Sequence, residues 1–473
     1  MGRLVPDLCV IGGGPAGIHA ATTAAALGAR VVLVERGRTG GLSLHGGSVS
    51  MRALAAAAAR AQAMREGAPL GVAAHEPEVD FAAVRRHVAG AVAAASASCS
   101  PERLRALGIQ VLPAEARFSG TGTVVAGDSE IAARGFVIAT GSRPVVPAAP
   151  GLDGVDYLTP ESVFALERRP RHLVILGGGD SGIEAAQAFR RLGSNVTVVE
   201  FGTALSRWDP ELAAVVLRRL RREGVVIRDN AKVMGMDRPG RGHVRVQIKW
   251  PAGVETYDAS HVLLAAGRRP NLAGLGLAEA GIVEDDNGIS VDDRLVTANP
   301  RVFAIGDCIG ECGNVALARH HAEVAVSQLV ERKRASEEGW KVPRSLGTDP
   351  GVAQVGLTEA EARRRGIAFR ILRAPFAEGE RALAERCGEG HLKLLLDDGH
   401  RLLGAGLAGA GAAELMDTWA LALSAGLGLQ QIAAHASVFP SFGGICKNAA
   451  MAYLLANGDG KAGPILFGRR LRR

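Results

Sequence analysis

Aromatic residues are scarce in this chain: 473 residues include three Tyr, four Trp and twelve Phe, 4% in all. Bases of nucleic acids stack on aromatic side chains, and basic residues that bind phosphates gather on one face. Here Arg and Lys are interleaved with Asp and Glu, so the formal charge of +7 makes a poor nucleic-acid footprint and no such partner is expected. The six cysteines (Cys9, Cys99, Cys308, Cys312, Cys387, Cys446) form no Cys-x2-Cys pair, which argues against a zinc cluster or a disulfide scaffold. The longest apolar stretch, about 402–429, carries Glu414, Asp417 and six glycines, too polar and too broken for a membrane span. The apolar run Leu8–Val10 leads into a glycine-rich turn instead of a cleavage site, so a cytoplasmic location is expected. The basic tail at 466–473 is read as a solvated terminus or as a contact for an anionic surface.

With 47% hydrophobic and 22% charged residues, the chain can fill several globular cores. Its organisation is a pair of matching units. Leu8–Ile11 is an apolar strand, followed by Gly12-Gly-Gly-Pro-Ala-Gly17, an Ala-rich helix and a strand ending at Glu35. The same order recurs at Leu173–Leu176, Gly177-Gly-Gly-Asp-Ser-Gly182, a helix through Leu192 and a strand ending at Glu200. One G-x-G-x-x-G is weak evidence, but here the required strand, turn and helix occur twice. The first Gly makes the tight turn, the second admits a pyrophosphate and the third packs helix on strand, with the helix N-terminus facing the phosphates. Two dinucleotide sites are therefore expected, using Gly12, Gly14 and Gly17 in one and Gly177, Gly179 and Gly182 in the other. Glu35 and Glu200 each fall 23 positions after the first Gly, where a carboxylate accepts ribose hydroxyls and repels a 2′-phosphate. No Arg follows Glu200, so the second site is expected to take NAD(H); the alternative is that both glutamates are solvated strand ends.

Three further segments carry a resemblance: Phe136-Val-Ile-Ala-Thr-Gly-Ser-Arg-Pro144, His261-Val-Leu-Leu-Ala-Ala-Gly-Arg-Arg-Pro270 and Arg301-Val-Phe-Ala-Ile-Gly-Asp307. They resemble the pyridine nucleotide-disulfide oxidoreductases, in a pattern close to dihydrolipoamide dehydrogenase and mercuric reductase. The segments Thr348–Ala362, Gly390–Asp398 and Leu402–Leu407 resemble that family's C-terminal interface domain. The resemblance implies FAD in the first site, held by Gly12, Gly14, Pro15, Ala16, Gly17, Glu35, Arg36, Gly41, Arg52, Thr140, Gly141, Gly306, Asp307, Ala316 and Leu317. It implies NAD at Gly177, Gly179, Gly182, Glu184, Glu200 and Gly267, and a homodimer.

The departures from the family carry more weight. In Gly40-Gly-Leu-Ser-Leu-His-Gly-Gly-Ser-Val-Ser-Met-Arg52, Ser43 and Ser48 stand where the resemblance places a redox Cys-x4-Cys pair. A serine hydroxyl can neither attack sulfur nor act as a thiolate donor to flavin. In Ala434-His-Ala-Ser-Val-Phe-Pro-Ser-Phe442, Ser437 and Phe442 replace the family's proton-transfer His and its Glu. Two distant losses point to one discarded reaction. Cys308 and Cys312 are read as substitute thiols or as buried packing.

Other parts of the implied flavin site are retained. Arg52 replaces a Lys and Glu184 matches the acid that pairs with it near flavin N5, a fixed cation that would stabilise negative charge there; Arg keeps the charge but cannot act as an acid. The helix starting near Asn314 would aim its N-terminus at the pyrimidine edge of the flavin. Asp180 is either a polar gate over the flavin or a helix cap. His45, between the two serines, is either a proton donor, as in the similar soluble pyridine nucleotide transhydrogenases, or a turn histidine bonded to backbone; Gly46 and Gly47 are expected to open the pocket beside it. Phe439 and Phe442 are aromatic walls or interface core, and His435 is a secondary proton donor.

The expected architecture is α/β, with two nested Rossmann-like dinucleotide-binding domains plus an α+β C-terminal dimerisation domain. The boundaries are 1–150 (FAD, first part), 151–272 (NAD), 273–345 (FAD and central, second part), 346–465 (interface) and 466–473 (basic tail). The expected function is FAD-dependent oxidation of NADH with electrons leaving to an acceptor other than a disulfide, such as a quinone, oxygen, a metal or a protein. A transhydrogenase-like enzyme, a nucleotide sensor without turnover, and a disulfide reductase using other cysteines are the alternatives.

Overall fold

A computed structural model describes residues 2–240, 242–310 and 313–457; the basic tail and Cys312 lie outside them. The chain divides into two compact units, Met1–Arg207 with Leu217–Val342, and Trp208–Val216 with Pro343–Arg473.

Two five-stranded parallel sheets organise the first unit. In one, the order is Val302–Ala304, Gly135–Ile138, Leu8–Ile11, Val31–Val34, Ile109–Leu112. In the other it is Tyr157–Leu158, His261–Leu264, His172–Leu176, Asn195–Val199, Val226–Arg228. Both glycine-motif strands thus run between the second strand of their own unit on one side and a later strand on the other. That reversal leaves a crevice at the strand ends where ligands bind. The central strands are apolar along their whole length, and buried along it, because a parallel sheet is covered on both faces. Each motif strand feeds a helix: α1 (Pro15–Ala26) in the first sheet and, in the second, Asp180–Arg191. Between them in sequence lie the short α2 (Gly41–His45) and the long α3 (Ser48–Arg65); Asp180–Arg191 is α4, and α5 is Val315–Leu329.

The second unit is α+β. Its antiparallel sheet runs Arg344–Leu346, Gly351–Gly356, Leu402–Gly409, His391–Leu396, Arg370–Pro375. Helices Ala412–Ser424 and Gly444–Ala456 contribute Trp419, Met416 and Ile445 to one core with Leu392, Leu394 and Phe376. A single charge interrupts the buried strand His391–Leu396: the Lys393 ammonium, almost inaccessible, donates to Asp209 (2.8 Å), Glu211 (2.7 Å) and Glu359 (2.8 Å). Arg373 grips Glu211 through two nitrogens, both at 2.7 Å.

This cluster sets an acid limit for the unit. Hydrogen bonds from Arg373, reinforced by Lys393 against the cost of burial, pull the Glu211 carboxyl from 4.5 down to about 2. A carboxyl depressed on folding stabilises above its unfolded value and loses that contribution as pH falls through its folded value. The melting temperature of the unit should therefore drop as pH is lowered from about 4.5 to about 2, and Glu211→Gln should flatten that part of the profile.

Among the described residues no helix is long and apolar enough to cross a membrane.

Candidate active site and nucleotide cradles

The two glycine turns are superimposable in their reasons. Gly12 has φ +108° and a Cβ there would sit 2.3 Å from the Ala139 carbonyl oxygen; Gly177 has φ +116° and a Cβ would sit 2.2 Å from that of Ala265. Side chains at Gly17 and Gly182 would strike the Gly12 and Gly177 carbonyl oxygens at 1.8 and 2.1 Å. The middle glycines differ: a Cβ on Gly14 or Gly179 meets no protein atom within 4 Å. Their lack of a side chain leaves room that the protein itself does not fill. Gly14 and Gly179 are also the N-cap residues of α1 and α4, and no side chain caps either helix. The N-termini of both helices therefore face these open places, which suits a pyrophosphate.

Glu35 and Glu200 are held alike. Glu35 accepts from the N–H of Gly13 (2.5 Å) and of Gly37 (2.7 Å), Glu200 from Gly178 (2.6 Å) and Gly202 (2.8 Å). Each carboxylate oxygen spends one lone pair on backbone and has a second that could accept a ribose hydroxyl. Both are half-buried, fixed side chains and not solvated strand ends. Beside α4 lies a cleft of about 590 Å³ bounded by Gly179, Asp180, Glu200, Phe201, Gly267 and Arg268. Asp180 does not cap the helix: it is the first residue after the Gly179 N-cap and is exposed at the cleft.

The remaining implied flavin contacts cluster at the ends of the first sheet. Thr140 donates to the Asn271 carbonyl (2.8 Å) while the Asn271 amide donates to that of Thr140 (3.0 Å), fixing the turn at Gly141. Asp307 accepts from the Gly313 N–H (3.0 Å) and from the Ser142 hydroxyl. Gly306, φ +69°, donates its N–H to Nδ1 of the fully buried His321 (3.2 Å). Helix α5 starts after the N-cap Asn314, whose side chain accepts from the N–H groups of Ala316 and Leu317 at 3.0 and 3.2 Å. Arg36 pairs with Glu115 at the surface. A Cβ on Gly41 would come within 2.8 Å of Gly14 Cα, so α2 packs directly on the first glycine turn.

Around the two serines, geometry replaces several expectations. The Ser43 hydroxyl reaches only the Gly40 carbonyl, at 3.5 Å, and Ser48 is exposed at the start of α3. His45 Nε2 lies 2.9 Å from the Thr39 carbonyl oxygen, the bond of a turn histidine. A carbonyl only accepts, so Nε2 carries the proton. Gly46 does not open a pocket: a Cβ there would come within 2.8 Å of Glu161 Cα, so its small size admits neighbouring backbone. At Gly47 a Cβ would be 3.1 Å from the Leu42 carbonyl oxygen and Ser43 Cα, which is again packing. Arg52 is exposed on α3 and Glu184 half-buried on α4. These helices pack on each other, yet among the ion pairs of the described residues the expected Arg52–Glu184 pair does not occur.

Of the two cysteines expected as substitute thiols, Cys312 lies outside the described residues and Cys308 is inert. Cys308 is wholly buried, its thiol donating to the Ile138 and Ile305 carbonyls, and burial pushes its pKa up to about 12. It is a packing residue. Cys9 is likewise buried and raised to about 12. In the second unit, His435 ends the helix Leu429–Ala434 with Nδ1 2.5 Å from the Ile432 carbonyl oxygen. Ser437 is half-buried, Phe439 is 76% exposed, and Phe442 packs against Phe376 beneath the Arg381 guanidinium, 4.3 Å from its ring centre. Phe442 is therefore core-packed in its own unit, whereas Phe439 presents its ring outward.

Motif reading missed Ser142, Arg268, Asn271 and His321. The first three sit in or next to the quoted Thr-Gly-Ser-Arg-Pro and Gly-Arg-Arg-Pro stretches, so their signal was present. His321 had none, being one of two adjacent histidines on a helix.

The family model described as pyridine nucleotide-disulphide oxidoreductase matches residues 6–328, and the model for that family's dimerisation domain matches 342–450. A mercuric reductase of Streptomyces lividans is 35% identical over 435 residues, covering 90% of this chain and 92% of the relative. A dihydrolipoyl dehydrogenase of Geobacillus stearothermophilus is 33% identical over 453 residues, covering 94% and 95%. Among solved structures, the HOCl-induced flavoprotein disulfide reductase RclA from Escherichia coli is similar with a TM-score of 0.82 at 27% identity, covering 94% and 99%; it has also been solved as a Cu(II) complex.

Proposed function

Because the chain belongs to the pyridine nucleotide-disulphide oxidoreductase family, whose members are FAD-dependent oxidoreductases that use NAD(P)H, we propose that it oxidises NADH with FAD and delivers the electrons to an acceptor other than a disulfide. The observation that carries this reading is the pair Ser43 and Ser48 at the positions where the resemblance implies redox cysteines. The buried thiols of Cys9 and Cys308, both raised to about 12, supply no thiolate near neutral pH.

Bound FAD would supply the hydride acceptor and the electron store. The α1 cradle, Glu35 and Asp307 would bind it; the α4 cradle, Glu200 and Gly267 would bind NADH, with Asp180 beside the nicotinamide and Arg52 and Glu184 as electrostatic groups. His45 Nδ1 would hold a proton for an acceptor reduced on the serine side. A homodimer through the second unit, with Ser437, Phe439, Phe442 and His435 near its surface or core, completes the proposal.

The test is an anaerobic NADH titration of the purified protein followed by a panel of acceptors: lipoamide, a synthetic disulfide, mercuric and cupric ions, thio-NAD and a soluble quinone. We expect one NADH consumed per FAD, no long-wavelength thiolate–flavin band, and turnover with the quinone or a metal ion but not with either disulfide. Uptake of two further electrons per flavin would overturn the reading, and turnover with thio-NAD alone would favour the transhydrogenase.

A further inference from the structure

Arg268 stands where both nucleotide sites meet its side chain. It lies in the short strand Arg268–Pro270, paired antiparallel with Ser142–Pro144, and its side chain is only 15% exposed. Nε donates to the Ser142 hydroxyl and Nη2 to the Ser142 carbonyl, both at 2.7 Å. The guanidinium is 3.8 Å from the Asp307 carboxylate and 3.5 Å from that of Glu161. A guanidinium has only donors, so the Ser142 hydroxyl must accept from Arg268 and commit its single proton to Asp307. The direction of the relay is thereby fixed: Arg268 to Ser142 to Asp307. Gly313 donates its N–H to the other Asp307 oxygen (3.0 Å). Arg268 also lines the cleft beside Gly177 and Gly179, together with Arg207 and Lys232, and the α4 N-terminus adds its own positive field at that turn.

We propose that Arg268 is a positioning residue with two duties: through Ser142 it orients Asp307 for the flavin nucleotide, and through its own charge it holds the phosphates of the pyridine nucleotide. The proposal rests on the assignment of the two cradles made above. The duties separate by substitution. Arg268→Gln removes both; Arg268→Lys keeps the charge at the cleft but replaces a planar fork that serves two Ser142 oxygens; Ser142→Ala removes the relay alone.

The experiment uses the full-length protein and two equilibria that need no turnover: FAD binding to apoprotein by flavin fluorescence, and ADP-ribose binding to the FAD-loaded protein by calorimetry. Loss of a charge-assisted hydrogen bond is read as about a tenfold weaker Kd. We expect Arg268→Gln to weaken both ligands by about tenfold or more, Arg268→Lys to weaken FAD while leaving ADP-ribose within about threefold, and Ser142→Ala to weaken FAD alone. FAD binding unchanged in Ser142→Ala overturns the relay, and ADP-ribose binding unchanged in Arg268→Gln overturns the second duty. Should Arg268→Gln fail to fold, the lysine and alanine variants still decide the relay. Failure of the wild-type protein to bind FAD or ADP-ribose would instead sink the cradle assignment itself, and the inference with it.

Discussion

Lys393→Met should unfold the second unit well below the melting temperature of the wild-type chain. An exposed ion pair is worth at most about 1 kcal/mol, and its loss would be hard to see. Lys393 is not exposed: its side chain is 3% accessible and that of Asp209 6%. Burial alone would lower the lysine pKa, but the hydrogen bonds it donates to Asp209, Glu211 and Glu359 outweigh it and raise the value above the ordinary one. Methionine fills much of the same volume, so the loss is electrostatic. Glu211 keeps Arg373 and Glu359 keeps Arg363 at 2.7 Å; among the described residues the Asp209 carboxylate keeps only a backbone partner, the N–H of Glu211 at 2.9 Å. A carboxylate left buried without its cation costs about 3–5 kcal/mol. The double variant Lys393→Met/Asp209→Asn should recover most of that, because it removes the stranded charge as well. Thermal melts of the three proteins check the pattern; a single variant as stable as wild type would show that the cluster contributes nothing.

Lys393 also marks what the sequence conceals. The stretch His391-Leu-Lys-Leu-Leu-Leu396 is plainly a strand, and a Lys within it reads as an outward-facing residue. Its partners Asp209 and Glu211 lie 184 and 182 positions away, so no local pattern announces that they converge. The sheets themselves were legible for the opposite reason. A parallel strand buried on both faces is apolar, as Leu8–Ile11 and Leu173–Leu176 are, and in the turn that follows Gly17 and Gly182 are required by the Gly12 and Gly177 carbonyl oxygens of the same strand–helix unit.

The candidate site divides along the same line. Residues whose role depends on chain geometry close by, such as Gly12, Gly17, Glu35 and Glu200, could be placed from spacing, and their backbone contacts follow directly. Residues whose role depends on what packs against them could not. Gly46 looked like an opening and is a point of backbone contact with Glu161; Ala316 and Leu317 were implied as flavin contacts, and their N–H groups are bonded by the Asn314 side chain. The Arg52–Glu184 pair failed because helical proximity does not determine which way an exposed arginine lies. Arg268 and Ser142 were present in quoted motifs, but their joint hold on Asp307 needs two strands brought side by side.

Valine at Gly14 or at Gly179 should abolish one nucleotide site each and spare the fold. At Gly12, Gly17, Gly177 and Gly182 any side chain would drive into a carbonyl oxygen at 1.8–2.3 Å, so loss of binding there could not be told from misfolding. Gly14 and Gly179 have φ near −77° and −75° with extended ψ, a conformation open to any residue, and free space at the Cβ position. The penalty thus falls on the ligand, whose phosphates must come within hydrogen-bond reach of the helix N–H groups. Displacing a pyrophosphate from those donors should weaken binding by about a thousandfold, near 4 kcal/mol. Gly14→Val should purify colourless with a melting temperature close to that of wild-type apoprotein, whereas Gly179→Val should retain FAD and show a greatly raised KM for NADH. The crossed outcome is what carries the argument. If both variants lost FAD, or if Gly179→Val oxidised NADH as wild type does, the two cradles would not serve separate nucleotides.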